Sequence, residues 1–118
     1  MGSIAVNKFL WQAAIDTLTF MTIKTADPQK GRIVTDWYID KQHPTKRVRV
    51  GVLIIGVELR ADAIKVFIDR QALNGRKQWI QSPISEVDRA KLEVLILERA
   101  RKLKRIFIAE KIPPQAQK

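Results

Sequence analysis

The hydrophobic pattern of this chain changes period twice, and each change marks a boundary. After Asn7, the residues Leu10, Trp11, Ala14, Ile15 and Leu18 recur at helical spacing and share one face. The Asn7 side-chain carbonyl can accept from an early backbone N–H, so Asn7 is the expected cap and a helix is predicted from about Lys8 to Thr19. Phe20 to Thr25, β-branched and alternating, then reads as a short strand. Asp27-Pro28-Gln29-Lys30-Gly31 supplies a turn, since proline presets φ and glycine admits a positive one. The return strand, Arg32 to Ile39, has two rows, either of which can face a core. Of these, Ile33, Trp37 and Ile39 are expected inward.

Lys41 to Lys46, with His43-Pro44, breaks the alternation and reads as a loop. Arg47 to Glu58 is predicted to be a long strand with Val48, Val50, Val52 and Ile54 on one face and Arg47, Arg49, Gly51, Leu53 and Ile55 on the other. Gly51 and Gly56 inside it are read as bulges or points of close backbone approach. After the link Arg60-Ala61-Asp62, another strand is predicted over Ala63 to Ala72, a type I′ hairpin turn at Asn74-Gly75, and a last strand over Arg76 to Gln81. The period then returns to that of a helix. Ser85 with Asp88 forms a start signal, and Leu92, Leu95, Ile96, Ala100, Leu103, Ile106 and Phe107 form a stripe expected in the core. Pro113-Pro114 is expected to stop the helix.

Helix, about five mostly antiparallel strands and a long helix imply an α+β fold with both helices on one sheet face. The expected domain covers residues 6–110. Residues 1–5 are read as a linker or expression remnant and residues 111–118 as a disordered tail. The chain has 118 residues, enough to bury roughly two-thirds of its unfolded surface in one core. It has no cysteine, which removes thiol nucleophiles, thiolate metal sites and disulfides together. Neither a long apolar run nor a leader pattern is present in it.

Charge changes the picture more than composition does. The formal net charge of +10 would attract nucleic acid, anionic lipid or an acidic protein. Much of it falls late, at Arg99, Arg101, Lys102, Lys104 and Arg105, where a solvated helix end and an anion-binding surface need the same residues. Candidate chemistry is sparse. His43 is the only histidine and adjoins a proline in a loop, which argues against a Ser-His-Asp set or a multi-histidine metal site. The scattered glycines have no phosphate-loop spacing. Asp36, beside Trp37 and Tyr38, is the one acid whose neighbours suit a ligand, although aromatic core packing uses the same residues. No catalytic, metal-ligating or cofactor-binding residue is assigned, and the chain is expected not to be an enzyme.

Leu10-Trp11, Asp16-Thr17-Leu18, Phe20-Met21, Ala26-Asp27-Pro28, Gly31, Ile33-Val34-Thr35-Asp36-Trp37-Tyr38, Glu58-Leu59-Arg60-Ala61-Asp62 and Trp79 stand in an order that resembles the DUF3576 family of alphaproteobacterial proteins. That resemblance implies a small exported or lipid-anchored protein on the periplasmic side of the cell envelope, with no carried-over catalytic residues. The element order is also similar to the helix-grip domains of BamC-type lipoproteins of outer-membrane assembly, a likeness that implies a helix-grip-like arrangement of the α+β fold. The expected function is therefore a non-enzymatic envelope domain working through protein contacts. An envelope protein or a second copy is the expected partner, with an anionic lipid surface as a further one. A basic nucleic-acid-binding module using Arg32, Lys46, Arg47 and Arg49 with the basic end of the last helix is the alternative. The surface expected to carry the contacts comprises Asp36, Tyr38, Arg49, Leu53, Ile55 and Phe67, with Arg101, Lys104 and Arg105 on the last helix.

Overall fold

A buried asparagine starts the fold. Asn7 Oδ1 accepts from the N–H groups of Phe9 (3.0 Å) and Leu10 (2.9 Å), while its Nδ2 donates to Val57 O (3.0 Å). The same residue thus caps helix α1, Lys8–Thr17, and ties its entry to a distant loop. The structure, a computed structural model, describes residues 4–111. The readings of Pro113-Pro114 and of the tail from residue 112 onward, and that of residues 1–3, lie outside the described residues. Helix α1 stops short of the expected Thr19 because Thr17 Oγ1 donates to Ala13 O (2.7 Å) and Thr19 Oγ1 to Asp16 O (2.9 Å), taking up terminal carbonyls. Phe20 falls in the following turn, not in a strand.

Five strands follow as an antiparallel meander in the order β1 to β5. They are β1 Ile23–Asp27, β2 Arg32–Thr35, β3 Lys46–Ile54, β4 Ile64–Leu73 and β5 Trp79–Gln81, and a short 3-10 turn, Ala61–Ala63, precedes β4. The long helix α2 spans Glu86–Lys111, with Ser85 Oγ accepting from Asp88 N–H at 3.3 Å. It takes in Lys111, the first residue of the expected tail. In the first hairpin, Asp27 Oδ1 gathers the N–H groups of Gln29 and Lys30. Gly31 has φ +68°, and a β-carbon there would collide with Ile54 O and approach Val6 Cγ1 to 2.9 Å, so only glycine closes this turn.

The expected rows of β2 are overturned at its end. Val34 pairs with Gly51, but Tyr38 pairs with Val48, so Thr35 to Trp37 stand opposite only Arg49 and Val50. The extra residue is a β-bulge. Thr35, fully buried, repairs the ladder by accepting from Val50 N–H through Oγ1 at 2.9 Å. Beyond the bulge every side chain has changed face. Tyr38 therefore packs against the core, Trp37 lies on the opposite surface, and Ile39 is exposed.

β3 ends at Ile54 and does not reach Glu58, because Gly56 turns the chain with φ +77°. Gly51 forms no bulge and pairs regularly with Val34 and Phe67. The Asn74-Gly75 turn is not type I′. Asn74 Oδ1 accepts from the N–H groups of Arg76 and Gln78, and Lys77 takes the left-handed conformation (φ 61°), which lengthens the loop and shortens β5.

The core lies between the helices and one face of the sheet. Val50, Val52 and Ile54 pair with Ile68, Val66 and Ile64, and this layer meets Leu10, Ala14 and Leu18 of the α1 segment and Ile96, Leu97 and Ala100 of α2. Burying each large aliphatic side chain contributes about 1.5–3 kcal/mol. The helices run antiparallel, since Asp16 meets Arg99 at 3.1 Å and the Phe9 ring meets Phe107 edge-on at 5.5 Å. Of the expected α2 stripe, Leu95, Ile106 and Phe107 are exposed, Phe107 because it lies near the end of the helix, and Leu97 joins Ile96 and Ala100 in the core. At roughly 100° per residue Leu95 and Ile106 lie about 120–140° round the helix from buried Ala100. β5 covers only Gln71 to Leu73, and along the rest of that β4 edge Glu93 Oε2 accepts from Val66 N–H (2.9 Å) while pairing with Arg89 (2.7 Å).

Candidate functional site

The sheet face away from the helices carries the most organised set of unsheltered side chains. Turned outward by the bulge, the Trp37 ring lies 4.3 Å from Arg47 Cζ and 4.4 Å from Arg49 Cζ. Arg47 Cζ is also 4.3 Å from the Trp79 ring, so Arg49, Trp37, Arg47 and Trp79 form one alternating stack. The in-register β3–β4 pairing holds its cations. Arg49 donates twice to Asp69 Oδ2 (3.1 and 2.8 Å), and Arg47 donates twice to Gln71 Oε1 (2.8 and 2.5 Å). Both partners of the Arg49–Asp69 pair are substantially exposed, so the pair contributes about 0–1 kcal/mol, and each cation–π contact adds about 0.5–1 kcal/mol.

Next to the stack is a groove of about 360 Å³. Its floor is Gly51, and its walls are Val34, Leu53 and Phe67 with Arg32 and Arg49. Gly51 has ordinary backbone geometry, and a β-carbon there would meet Phe67 only at van der Waals distance, 3.8 Å. The fold does not require this glycine, yet a glycine inside a strand costs roughly 0.5–1 kcal/mol relative to alanine. What its missing side chain does is open the groove between the flanking strands. Phe67 beside it is 57% exposed.

Of the residues singled out from the sequence, the structure brings together Arg49, Leu53 and Phe67. Ile55 is exposed but lies past the end of β3, where its N–H donates to Ala63 O. Tyr38 is on the other face of the sheet, edge-on to Phe20 at 5.5 Å. Asp36 is exposed on the bulge, and among the described residues no hydrogen bond or ion pair engages its carboxylate. Arg101, Lys104 and Arg105 are exposed on α2, the helix side of the sheet, so they form no common surface with Arg49. Sequence reasoning placed Arg47 on this face beside Arg49 but missed Trp37 and Trp79 as its members. The alternation of Arg47 and Arg49 with valine was the available signal, but the bulge that delivers Trp37 was not.

The other charged cluster is structural. The Arg89 guanidinium is held above its ordinary pKa, chiefly by its hydrogen bond to Glu86 and then by the charge of Glu93. It anchors the start of α2 over β4. Among the described residues no group of three or more His, Cys, Asp or Glu side chains could hold a metal ion. Nor is any described helix long and apolar enough to cross a membrane.

Comparison with known proteins bears on the chain as a whole. The family described as "Domain of unknown function (DUF3576)" matches residues 4–105. The uncharacterized protein RP420 of Rickettsia prowazekii (strain Madrid E) is 33% identical over 96 residues, covering 81% of this chain. The matched segment spans 57% of that relative's length. With most of its residues matched in this way, the chain belongs to the DUF3576 family.

Proposed function

We propose that this domain is a non-enzymatic binding module on the periplasmic side of the cell envelope, serving outer-membrane assembly or maintenance through a protein docked on its uncovered sheet face. The observation that carries this reading is the groove at Gly51, opened by a glycine the backbone does not need and flanked by exposed Phe67. The compartment rests on the resemblance to exported and lipid-anchored proteins.

Charge selects the partner. Arg32, Arg47, Arg49 and Lys65 share the outer face with Asp69, so the complementary surface is acidic and carries an aliphatic side chain for the groove. Two copies placed face to face would set these cations against one another, which disfavours a homodimer through this surface. Nucleic acid is also less well matched. Two arginines lie against the Trp37 ring and one against the Trp79 ring, in competition with base stacking there.

The test is site-specific photo-crosslinking in cells, with a photoreactive phenylalanine analogue at position 67 of the full-length protein and Lys91, exposed on α2, as the control position. The reading expects recovery from the envelope fraction and a crosslink at position 67 to an acidic protein, lost in Leu53→Asp and absent from position 91. Recovery in the cytosol would refute the compartment. A crosslink unaffected by Leu53→Asp would refute the docking surface. A product of two copies would replace the partner with self-association, and a complex that dissolves steeply with salt only when nucleic acid is present would favour the alternative.

A further inference from the structure

A second cavity, about 490 Å³, opens at the end of the sheet beyond the helix-covered layer that begins at Val50 and Ile68. Three separate pieces of the chain build it. The β2 bulge sets Tyr38 against Val48 through two backbone hydrogen bonds, Tyr38 N–H to Val48 O (2.7 Å) and Val48 N–H to Tyr38 O (3.0 Å). The following loop folds back on itself, His43 N–H donating to Asp40 O and Lys46 N–H to His43 O, which brings Lys46 to the cavity wall. Across the sheet Val48 pairs with Arg70, and Ser82 N–H donates to Arg70 O at 2.8 Å, fixing Ser82 and Pro83 as the remaining wall.

The chemistry of this wall is a surplus of donors. Among the described residues no hydrogen bond engages the Tyr38 hydroxyl, the Lys46 ammonium or the Ser82 hydroxyl, and Arg70 commits only Nη2, to Asp88 at 3.1 Å. The acid in the lining, Asp40, is turned onto its own loop, accepting from Gln42 N–H (2.9 Å) and lying 3.8 Å from His43 Nδ1. Lysine offers three N–H donors, and the rest of the arginine fork and two hydroxyls add more than the two oxygens of a carboxylate can accept. A phosphate group has more acceptor oxygens and a charge near −2, which suits this set. Val48, Pro83 and the Tyr38 ring add an apolar side against which an organic body can lie.

We infer that this cavity binds a phosphate group, carried by a small molecule or by a lipid headgroup, with Lys46, Arg70, Tyr38 and Ser82 as its donors. The site is separate from the Gly51 groove and stands or falls independently of it.

Amide chemical shifts measured during titration with inorganic phosphate, and in parallel with phenyl phosphate, at constant ionic strength test the inference. Saturable shifts at Tyr38, Lys46, Arg70 and Ser82 are expected, with tighter binding of phenyl phosphate because of the apolar wall. Lys46→Glu should weaken binding about tenfold or more, the loss of one charge-assisted contact with added repulsion, whereas Lys91→Glu makes the same charge change on α2 and should leave it unaltered. Tyr38→Phe keeps the ring and should weaken binding about threefold, a single neutral hydrogen bond. Sedimentation with phosphatidylglycerol and phosphatidylcholine vesicles separates the sources. Anionic-vesicle binding lost in Lys46→Glu assigns a headgroup, and saturable phosphate binding without vesicle binding assigns a soluble ligand. Linear shifts spread over every basic patch, or equal losses in Lys46→Glu and Lys91→Glu, would overturn the inference.

Discussion

Along β3, neighbouring residues live in different worlds. Val50, Val52 and Ile54 are 4%, 1% and 1% exposed, whereas Arg47, Arg49, Gly51 and Leu53 between them all keep contact with solvent. The inner row is held by burial, which is non-directional and sums over a layer shared with both helices. The outer row is held by a lattice of guanidinium groups, indole rings and two β4 acceptors, each directional and each weak. A single strand can thus supply a core on one side and leave the other side free to vary, because removing any one outer contact costs little.

The sharpest test of that contrast uses adjacent positions. Val52→Asp buries an unpaired carboxylate and should cost about 4 kcal/mol or more, abolishing cooperative unfolding in urea. Leu53→Asp, one residue on, should lower the unfolding free energy from the same urea titration by less than about 1 kcal/mol. Equal effects would mean that the outer face is buried in solution, against another copy or another protein. Next in size, Glu93→Ala leaves the Val66 N–H at the β4 edge without its acceptor and should cost about 1–3 kcal/mol. Hydrogen exchange of the Val66 amide should rise more than that of Val52, and an unchanged Val66 rate would remove Glu93 from the set of edge contacts.

The outer lattice should yield smaller numbers. Arg47→Ala breaks two ring contacts and should cost about 1–2 kcal/mol, with a change in tryptophan fluorescence because both Trp37 and Trp79 lose a neighbour. A fluorescence spectrum identical to that of the parent would show that the stack does not persist in solution. Smallest is Gly51→Ala, expected to stabilise by about 0.5–1 kcal/mol by restricting the unfolded chain while filling the groove. A destabilised Gly51→Ala would mean that the fold needs this glycine and would weaken the case for a binding groove.

Much of this architecture could be read from local signals. Asn7, the proline–glycine turn at Pro28 and Gly31, the valine alternation in β3 and Ser85 before α2 each act over a few residues, and each produced the element it implied. Misreadings came where a distant partner decides. Trp37 was assigned inward by simple alternation, but Thr35 Oγ1 can replace a backbone acceptor for Val50 N–H, which permits the bulge and reverses the following residues. Asn74-Gly75 suggested a tight turn, yet the Asn74 side chain captures two later amides and moves the left-handed residue to Lys77. On α2, helical spacing points to Leu95 as a core residue, but the position of β4 and α1 selects Leu97.

The candidate face was legible only in part. Arg49, Leu53 and Phe67 share a parity that alternation alone exposes, but their meeting around Gly51 depends on the register between β2, β3 and β4. By itself, then, the sequence determined the elements, the apolar face of β3 and the family, because periodicity, caps and residue order are carried within the chain. Only the tertiary structure decided which tryptophan stacks on which arginine, that Glu93 closes a strand edge, and that the late basic cluster and Arg49 lie on opposite sides of the sheet. Those outcomes depend on strand register and helix placement, which are set by contacts between residues far apart in sequence.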